Sequence, residues 1–344
     1  MPAFMPRFMP HLASTRGRLP LVGAVVALVL LSSQTFAKPP NVDRVVTFGA
    51  SLSDAGNAFI WFSQPENLDC GTRQNVPPYD QLDDLLTPGG PYARGGHHFS
   101  NGATWVEGLA RYLALAGNAR PAFQNIGMKA SNLAVGGARA VADYACRFNL
   151  PAQVSAYLAA FPQATDRTLV TIEIGGNDVR DALVAAARGE DPTPFIQGAL
   201  GSLADSVTQL YLHGARRFLL LNVPDVGKTP AVRMLEGSSP GIVGFAGFLS
   251  RTYNSGLAGV VHGLNLALPG IDVRILDVYA TLNAVVADPG TYGFVNATEA
   301  CVTPNQPPFA CAKPDTYAFW DGIHPTKALH ALVAQQAIEV ISEP

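Results

Sequence analysis

Apolar and β-branched residues recur in short runs along the chain, and each run ends in a glycine or polar turn. Runs of this length, bounded by turn residues, are typical of buried strands. The segments predicted to be strands are Val45–Phe48, "SNLAVGG", "RTLVTIEIGGND", "RRFLLLNVPD" and "DVRILDV". Helical spacing of apolar residues predicts helices in "NGATWVEGLARYLALAG" and "LPAQVSAYLAAF" and over 179–188, 193–213, 241–266 and 327–341.

Strands and helices alternate, and no long β-only region interrupts them. This pattern predicts an α/β fold in which helices cover both faces of a parallel sheet. A polar tract rich in proline and glycine, residues 63–98, shows no periodicity and is predicted to be a loop insertion that serves as a lid or binding loop. We find no repeat or composition break, so residues 38–344 are expected to form one domain.

The first 37 residues have the pattern of a secretory signal peptide. Three arginines precede an uncharged apolar run, Leu19–Leu31, and a small-residue motif ends at Ala37. The alternative is a membrane anchor, but the run is shorter than the roughly 20 residues that a spanning helix needs. We therefore expect cleavage after Ala37 and a secreted or periplasmic protein, with no transmembrane span in the mature chain.

The composition of the chain bears on its expected binding partners and on the state of its cysteines. Only 14% of the 344 residues are charged, the formal net charge is −3, and the basic residues do not cluster, so nucleic acid is not an expected partner. The four cysteines are an even number in an exported chain, which favours disulfides. Three pairings are possible; we expect Cys301–Cys311 and Cys70–Cys146. A metal site is the alternative, but no CxxC or CxxH spacing accompanies them.

Candidate catalytic residues follow the strand ends, where parallel sheets place their ligands. Ser51 follows the first strand, a pair of glycines follows the second, and Asn177 follows the third. Near the C-terminus, Asp321 and His324 stand three apart, close enough to be directed at one point. Each has a structural alternative: a serine bonded to local backbone, glycines that allow close packing, an asparagine that caps a helix, or a surface turn. Together they are the groups required for nucleophilic acyl transfer.

The ordered set of motifs resembles the SGNH/GDSL family of serine esterases and lipases. "FGASLSDAGN", "NLAVGGA", "IGGND" and "WDGIHPT" match its four blocks, and "HHFSNGATWVE" resembles a segment between them. The resemblance implies a three-layer α/β/α, flavodoxin-like fold with a central parallel sheet of about five strands. It departs from the family at Ala50, where an aspartate is usual, and at His98, which replaces a common arginine.

The resemblance also implies roles for residues of this chain. Ser51 would be the nucleophile, His324 the general base and acid, and Asp321 the group that orients the imidazole. The oxyanion hole would consist of the Ser51 and Gly137 amides and the Asn177 side chain. The implied activity is hydrolysis of a small-molecule, lipid or acylated-glycan ester, without metal or organic cofactor. An acyltransferase with the same chemistry and a catalytically weak binding protein are the alternatives.

Overall fold

The structure, a computed structural model, describes residues 41–62, 64, 97–124, 129–142, 148–161, 163–302 and 310–343. Residues 38–344 form one compact unit. The expected signal peptide, most of the 63–98 insertion, Cys70 and Cys146 lie outside the described residues.

Four parallel strands form the central sheet in the order β1-β2-β3-β4. Their bounds are β1 Arg44–Gly49, β2 Thr168–Glu173, β3 Arg217–Leu221 and β4 Asp272–Leu276. Strand β2 is buried along its whole length, as its continuous β-branched run predicts. In the register of the first pair, Gly49 lies beside Glu173, so both chains leave the sheet at the same level.

The predicted "SNLAVGG" strand is extended beside β1 but is not a regular strand. The Leu133 and Val135 amides donate to the carbonyls of Thr47 and Gly49 at 2.7 and 3.0 Å, yet only one bridge, Thr47–Asn132, is formed. The Asn132 side chain accepts the Ala134 amide, which interrupts the ladder. Counting this segment second in the chain gives the order 2-1-3-4-5 that is typical of flavodoxin-like sheets.

Helices cover both faces of the sheet, which confirms the predicted three-layer α/β/α fold. The helices are α1 Asn57–Phe62, α2 Trp105–Tyr112, α3 Leu150–Ala160, α4 Gly176–Ala187, α5 Thr193–Leu212, α6 Pro230–Leu235, α7 Ile242–Ala267, α8 Val278–Ala287 and α9 Lys327–Ser342. Two large buried clusters of apolar side chains lie on opposite faces of the sheet, one below α3, α4, α5 and α7 and the other below α2 and α9. Sequence periodicity predicted neither α6 nor α8. The six residues of α6 are too few to show a helical period.

A small two-stranded parallel sheet precedes the last helix and was not predicted. Strand β5 is Asn296–Ala300 and strand β6 is Tyr317–Phe319. The disulfide Cys301–Cys311, which the sequence predicted, joins the chain directly after β5 to the segment before β6. No helix of the described residues is long and apolar enough to cross a membrane.

Candidate active site

Gly49 ends β1 and sets the direction in which Ser51 is presented. Its φ of +145° is rarely adopted by residues with a side chain, and a Cβ there would lie 2.2 Å from the Glu173 carbonyl oxygen. Gln153 of α3 fixes this point, since its Oε1 accepts the Gly49 amide and its Nε2 donates to the Gly49 carbonyl, each at 2.8 Å. The chain then turns sharply over residues 50–53, which we call the Ser51 turn.

Ser51, His324 and Asp321 form a continuous hydrogen-bonded row. The Oγ of Ser51 lies 2.9 Å from Nε2 of His324, and Nδ1 of His324 lies 2.7 Å from Oδ2 of Asp321. The His324 side chain is 5% exposed and the Asp321 side chain 19% exposed. The structure thus brings Ser51 together with His324, which lies 273 positions later in the chain, and with its neighbour Asp321.

Asp321 is fixed by its own neighbours. Its Oδ1 accepts the Ile323 and His324 amides at 2.8 and 2.7 Å, while Oδ2 faces the imidazole. Burial acts to raise the pKa of Asp321, but the charge on His324 and the hydrogen bonds outweigh it and lower the pKa. Asp321 therefore remains a carboxylate that accepts from the imidazole.

Residues 320–325, which we call the His324 loop, follow β6, and the chain after the loop returns to hydrogen-bond with β6. The Trp320 amide donates to the His324 carbonyl at 2.8 Å, and the Thr326 amide donates to the Ala318 carbonyl at 2.9 Å. Ser100 contributes a further hydrogen bond, from its Oγ to the Pro325 carbonyl at 2.9 Å. Backbone pairing at both ends holds the imidazole in place.

Asn177 is the second residue of α4, and the structure does not give it a capping role. The N-cap position is Gly175, and no side chain caps this helix end. The Nδ2 of Asn177 instead donates to the Ala138 carbonyl at 2.9 Å. This bond connects Asn177 to "AVGGA", residues 134–138, which we call the glycine segment. Its amide group has a second hydrogen, and the residue is partly exposed at the carboxyl end of the sheet.

The two glycines of "AVGGA" differ in their surroundings. The Gly136 amide donates to Oδ2 of Asp54 at 2.8 Å. A Cβ on Gly136 would lie 2.2 Å from the Phe99 ring, which in turn packs 5.1 Å from the His324 ring, centroid to centroid. Gly136 thus serves packing and Asp54, which agrees with the sequence-based choice of Gly137 as oxyanion donor; that choice stays a prediction.

His98, which stands where the family usually has arginine, is buried next to Phe99. Its Nε2 lies 2.8 Å from Oε2 of Glu107 in α2. Burial acts to raise the pKa of Glu107, but the hydrogen bond and charge of His98 outweigh it and lower that pKa. Position 98 therefore still pairs with a carboxylate.

Sequence reasoning missed the buried polar side chains that shape the site from below. Asp54 accepts the amides of Gly56, Asn57 and Ala58 at the start of α1, besides that of Gly136. Burial raises the pKa of Asp54 to about 6, against the four amides that lower it.

Two buried asparagines join the segments that follow β1 and the glycine segment. Asn57 Nδ2 donates to the carbonyls of Asn132 and Ala134, at 2.8 and 2.9 Å. Asn132 Nδ2 donates back to the Ser53 carbonyl at 2.8 Å. The sequence feature that could have indicated these two asparagines is their position in "SDAGN" and "SNLAV", two stretches that are otherwise buried.

An apolar cavity lies next to the row formed by Ser51, His324 and Asp321. Leu52 and Ile323, the neighbours of Ser51 and His324, line it together with Trp105 and His330. Among the described residues, no group of histidines, cysteines and carboxylates could hold a metal ion.

Comparison with known proteins identifies the family. The sequence model of the GDSL-like lipase/acylhydrolases matches residues 45–337. A GDSL esterase/lipase of Arabidopsis thaliana is 26% identical over 92% of this chain and 92% of that protein. A phosphatidylcholine-sterol acyltransferase of Aeromonas hydrophila is 24% identical, over 92% and 95%. An acetylxylan esterase from Geobacillus stearothermophilus is similar in structure, with a TM-score of 0.44 and 14% identity over 90% of this chain and 97% of that one. The predicted family is thus confirmed: the chain belongs to the GDSL-like lipase/acylhydrolases and is a serine carboxylic ester hydrolase.

Proposed function

We propose that this chain hydrolyses carboxylic esters through an acyl-serine intermediate, with Ser51 as nucleophile. The observation that carries the proposal is the row Ser51 Oγ, His324 Nε2, His324 Nδ1 and Asp321 Oδ2, joined at 2.9 and 2.7 Å. Nucleophile, base and orienting carboxylate are the three parts that serine hydrolysis needs.

In the first half of the reaction, Ser51 Oγ attacks the ester carbonyl carbon and His324 Nε2 takes its proton. The Asp321 carboxylate stabilises the resulting imidazolium. The carbonyl oxygen becomes negative and accepts hydrogen bonds from the amides of Ser51 and Gly137 and from Asn177. When the intermediate collapses, the C–O bond to the alcohol breaks and His324 returns its proton to the leaving oxygen.

In the second half, water attacks the acyl carbon and gives a proton to His324. The bond between Ser51 Oγ and the acyl carbon breaks, the carboxylic acid leaves, and Ser51 recovers its proton. Fluorophosphonate labelling followed by peptide mapping tests this assignment, because Ser51 and Ser53 lie in one peptide and serve as each other's control. We expect the adduct on Ser51 and its loss in Ser51→Ala; an adduct on Ser53, or none, contradicts the proposal.

Acyl transfer to an alcohol is the second candidate, since one similar protein is a phosphatidylcholine-sterol acyltransferase. In that reaction an alcohol replaces water in the second half. Adding alcohol acceptors to a hydrolysis assay separates the two. Formation of the transferred ester at the expense of free acid, at low acceptor concentration, supports transfer; unchanged acid release supports hydrolysis.

We also propose that the protein is exported and that its mature form is one domain beginning at Lys38. The arginines, apolar run and Ala37 motif of the first 37 residues support this. N-terminal sequencing of the protein recovered outside the cytoplasm should begin at Lys38. Recovery of the uncleaved chain in the membrane fraction would contradict it.

A further inference from the structure

Glu173 has a buried carboxyl group at the centre of the site. This carboxyl takes no part in the hydrogen-bonded row of Ser51, His324 and Asp321. It is the last residue of β2, lies beside Gly49 in the sheet and is 7% exposed. Within the part of the chain that the structure describes, the residues that lower its pKa are Ala50, Leu52 and Ser53, which carry no charge. Buried carboxyl groups without a counter-ion are costly, so its contacts require an explanation.

The carboxyl of Glu173 lies against the Ser51 turn. Its Oε2 accepts the Ala50 amide at 3.2 Å, while its own carbonyl accepts the same amide at 3.0 Å. The Leu52 and Ser53 amides and the Ser53 hydroxyl also act on this carboxyl, and each of them lowers its pKa. Groups on both sides of Ser51 therefore face one side chain.

A second contact fixes the far side of this arrangement. The Ser53 hydroxyl, which lowers the pKa of Glu173, accepts the indole N–H of Trp105 at 3.0 Å. Both Ser53 and Trp105 are almost fully buried. The Glu173 side chain of β2 and the Trp105 side chain of α2 thus hold the turn between them.

We propose that Glu173 is a positioning residue that fixes the Ser51 turn, and so the direction of the Ser51 side chain and amide, in place of the carboxylate missing at position 50. Ala50 is buried, and its nitrogen lies 3.2 Å from the Glu173 carboxyl. A carboxylate at position 50 and the one at position 173 would thus compete for the same small region. The inference rests on the proposed role of Ser51 as nucleophile.

The protonation state of Glu173 is compatible with this role. Burial raises the pKa of Glu173 to about 8, although the hydrogen bonds from the turn lower it. At neutral pH the carboxyl is therefore largely uncharged. It holds the turn without placing a full negative charge next to the oxygen that becomes negative during the reaction.

The first test measures the rate of fluorophosphonate labelling of Ser51 and kcat and KM for a small ester. In Glu173→Ala we expect labelling and kcat to fall by roughly 10- to 100-fold with KM nearly unchanged, because a small displacement of the nucleophile affects mainly the transition state. Glu173→Gln keeps one acceptor oxygen, so it should recover part of the loss. Asp225→Ala is the matched control: it removes another buried carboxyl that accepts a backbone amide, that of Gly227, after a neighbouring strand. It should lose stability but not labelling.

The outcomes separate the two proposals. If Ser51 of the wild type does not label, the proposed function fails. If it labels and folded Glu173→Ala labels at the wild-type rate, only the inference about Glu173 fails. Should Glu173→Ala not fold, wild-type labelling and kcat in Glu173→Gln overturn the inference.

The second test asks whether a carboxyl at position 50 would occupy the same region as the Glu173 carboxyl. Ala50→Asp adds a carboxyl beside Glu173, and two carboxyls that lie so near to each other interfere with each other. We expect Ala50→Asp to reduce kcat more in the wild type than in Glu173→Gln, where the competing carboxyl is absent. Equal losses in both backgrounds would overturn the claim that one carboxyl replaces the other.

Discussion

The Ser51 turn is held by side chains from distant segments, whereas the His324 loop is held mostly by its own backbone. Glu173 and Asn132 reach the turn from other strands of the sheet region. In the His324 loop, Asp321 binds amides two and three residues away, and Trp320 pairs with His324. The position of Ser51 therefore depends on assembly of the whole sheet, and that of His324 depends on a short local motif.

The carboxyl groups of the two regions also differ in charge. Burial raises the pKa values of Asp54 and Glu173, to about 6 and about 8. In the His324 loop, burial acts on Asp321 as well, but the imidazole and two amides lower its pKa. The Ser51 turn thus favours protonated carboxyls and the His324 loop a carboxylate, so the two regions should respond to pH in opposite directions.

The largest expected effect comes from changing the hydrogen bond between the Asp321 carboxylate and the His324 imidazole within the His324 loop. Asp321→Asn keeps the shape of the side chain but favours the wrong tautomer of His324, so kcat should fall by about 10⁴-fold. Steady-state kinetics on a small ester measure this. Asp315→Asn is the control, because Asp315 is an exposed carboxylate that pairs with Lys327 just outside the loop. A loss below tenfold in Asp321→Asn would remove Asp321 from the mechanism.

Asn177 comes next, and it tests the proposed oxyanion hole. If Asn177 donates to the oxyanion, Asn177→Ala removes a donor that acts mainly in the transition state, so kcat should fall by about 10²–10³ with little change in KM. Asn265→Ala is the matched control, since that side chain bonds the Val273 backbone far from the site. It should lower the melting temperature and leave kcat unchanged. If Asn177→Ala instead loses stability and keeps kcat, its bond to Ala138 is purely structural.

The same contrast explains what could be predicted from the sequence. Asp321 and His324 are three residues apart, and their contact is local, so their motif alone indicated it. The strands and most long helices followed from apolar periodicity. Glu173 was not identified, because a glutamate at the end of a β-branched strand has no local signature, and its partners lie 123 residues earlier in the chain. The missing regularity of the second strand came from the Asn132 side chain, which periodicity does not detect.

Stability against pH sharpens the difference between the regions. The folded-state pKa of Glu173 is raised, so its contribution to stability is fully present below its unfolded value of 4.5 and is lost as pH rises towards about 8. The unfolding free energy of the wild type minus that of Glu173→Gln should therefore fall between pH 5 and 8, by on the order of 3 kcal/mol. Urea unfolding at each pH measures it.

Asp321→Asn provides the opposite case for the same measurement. The lowered pKa of Asp321 means that its stabilisation is present above its unfolded value of 3.8 and is lost as pH falls through the folded value. The difference between wild type and Asp321→Asn should therefore shrink as pH drops below 3.8, the direction opposite to that for Glu173. A difference for Glu173→Gln that does not fall between pH 5 and 8 would contradict its raised pKa.

The smallest effect on catalysis is expected from the disulfide beside the His324 loop. Cys301 and Cys311 close a short segment, and the adjacent Val302 amide donates to the Trp320 carbonyl at 2.8 Å. Replacing both cysteines with serine should lower the unfolding free energy by about 2–3 kcal/mol, because the unfolded chain gains freedom. Since the backbone pairing of the loop does not require the bridge, kcat of the folded variant should stay within about threefold of wild type, a small effect in free energy. Kinetics and urea unfolding under non-reducing conditions measure both quantities. A separate thiol count on the denatured wild type tests the second predicted bridge: no free thiol is expected if Cys70 and Cys146 are also paired. A kcat loss above tenfold in folded protein would mean that the His324 loop, like the Ser51 turn, depends on a distant support.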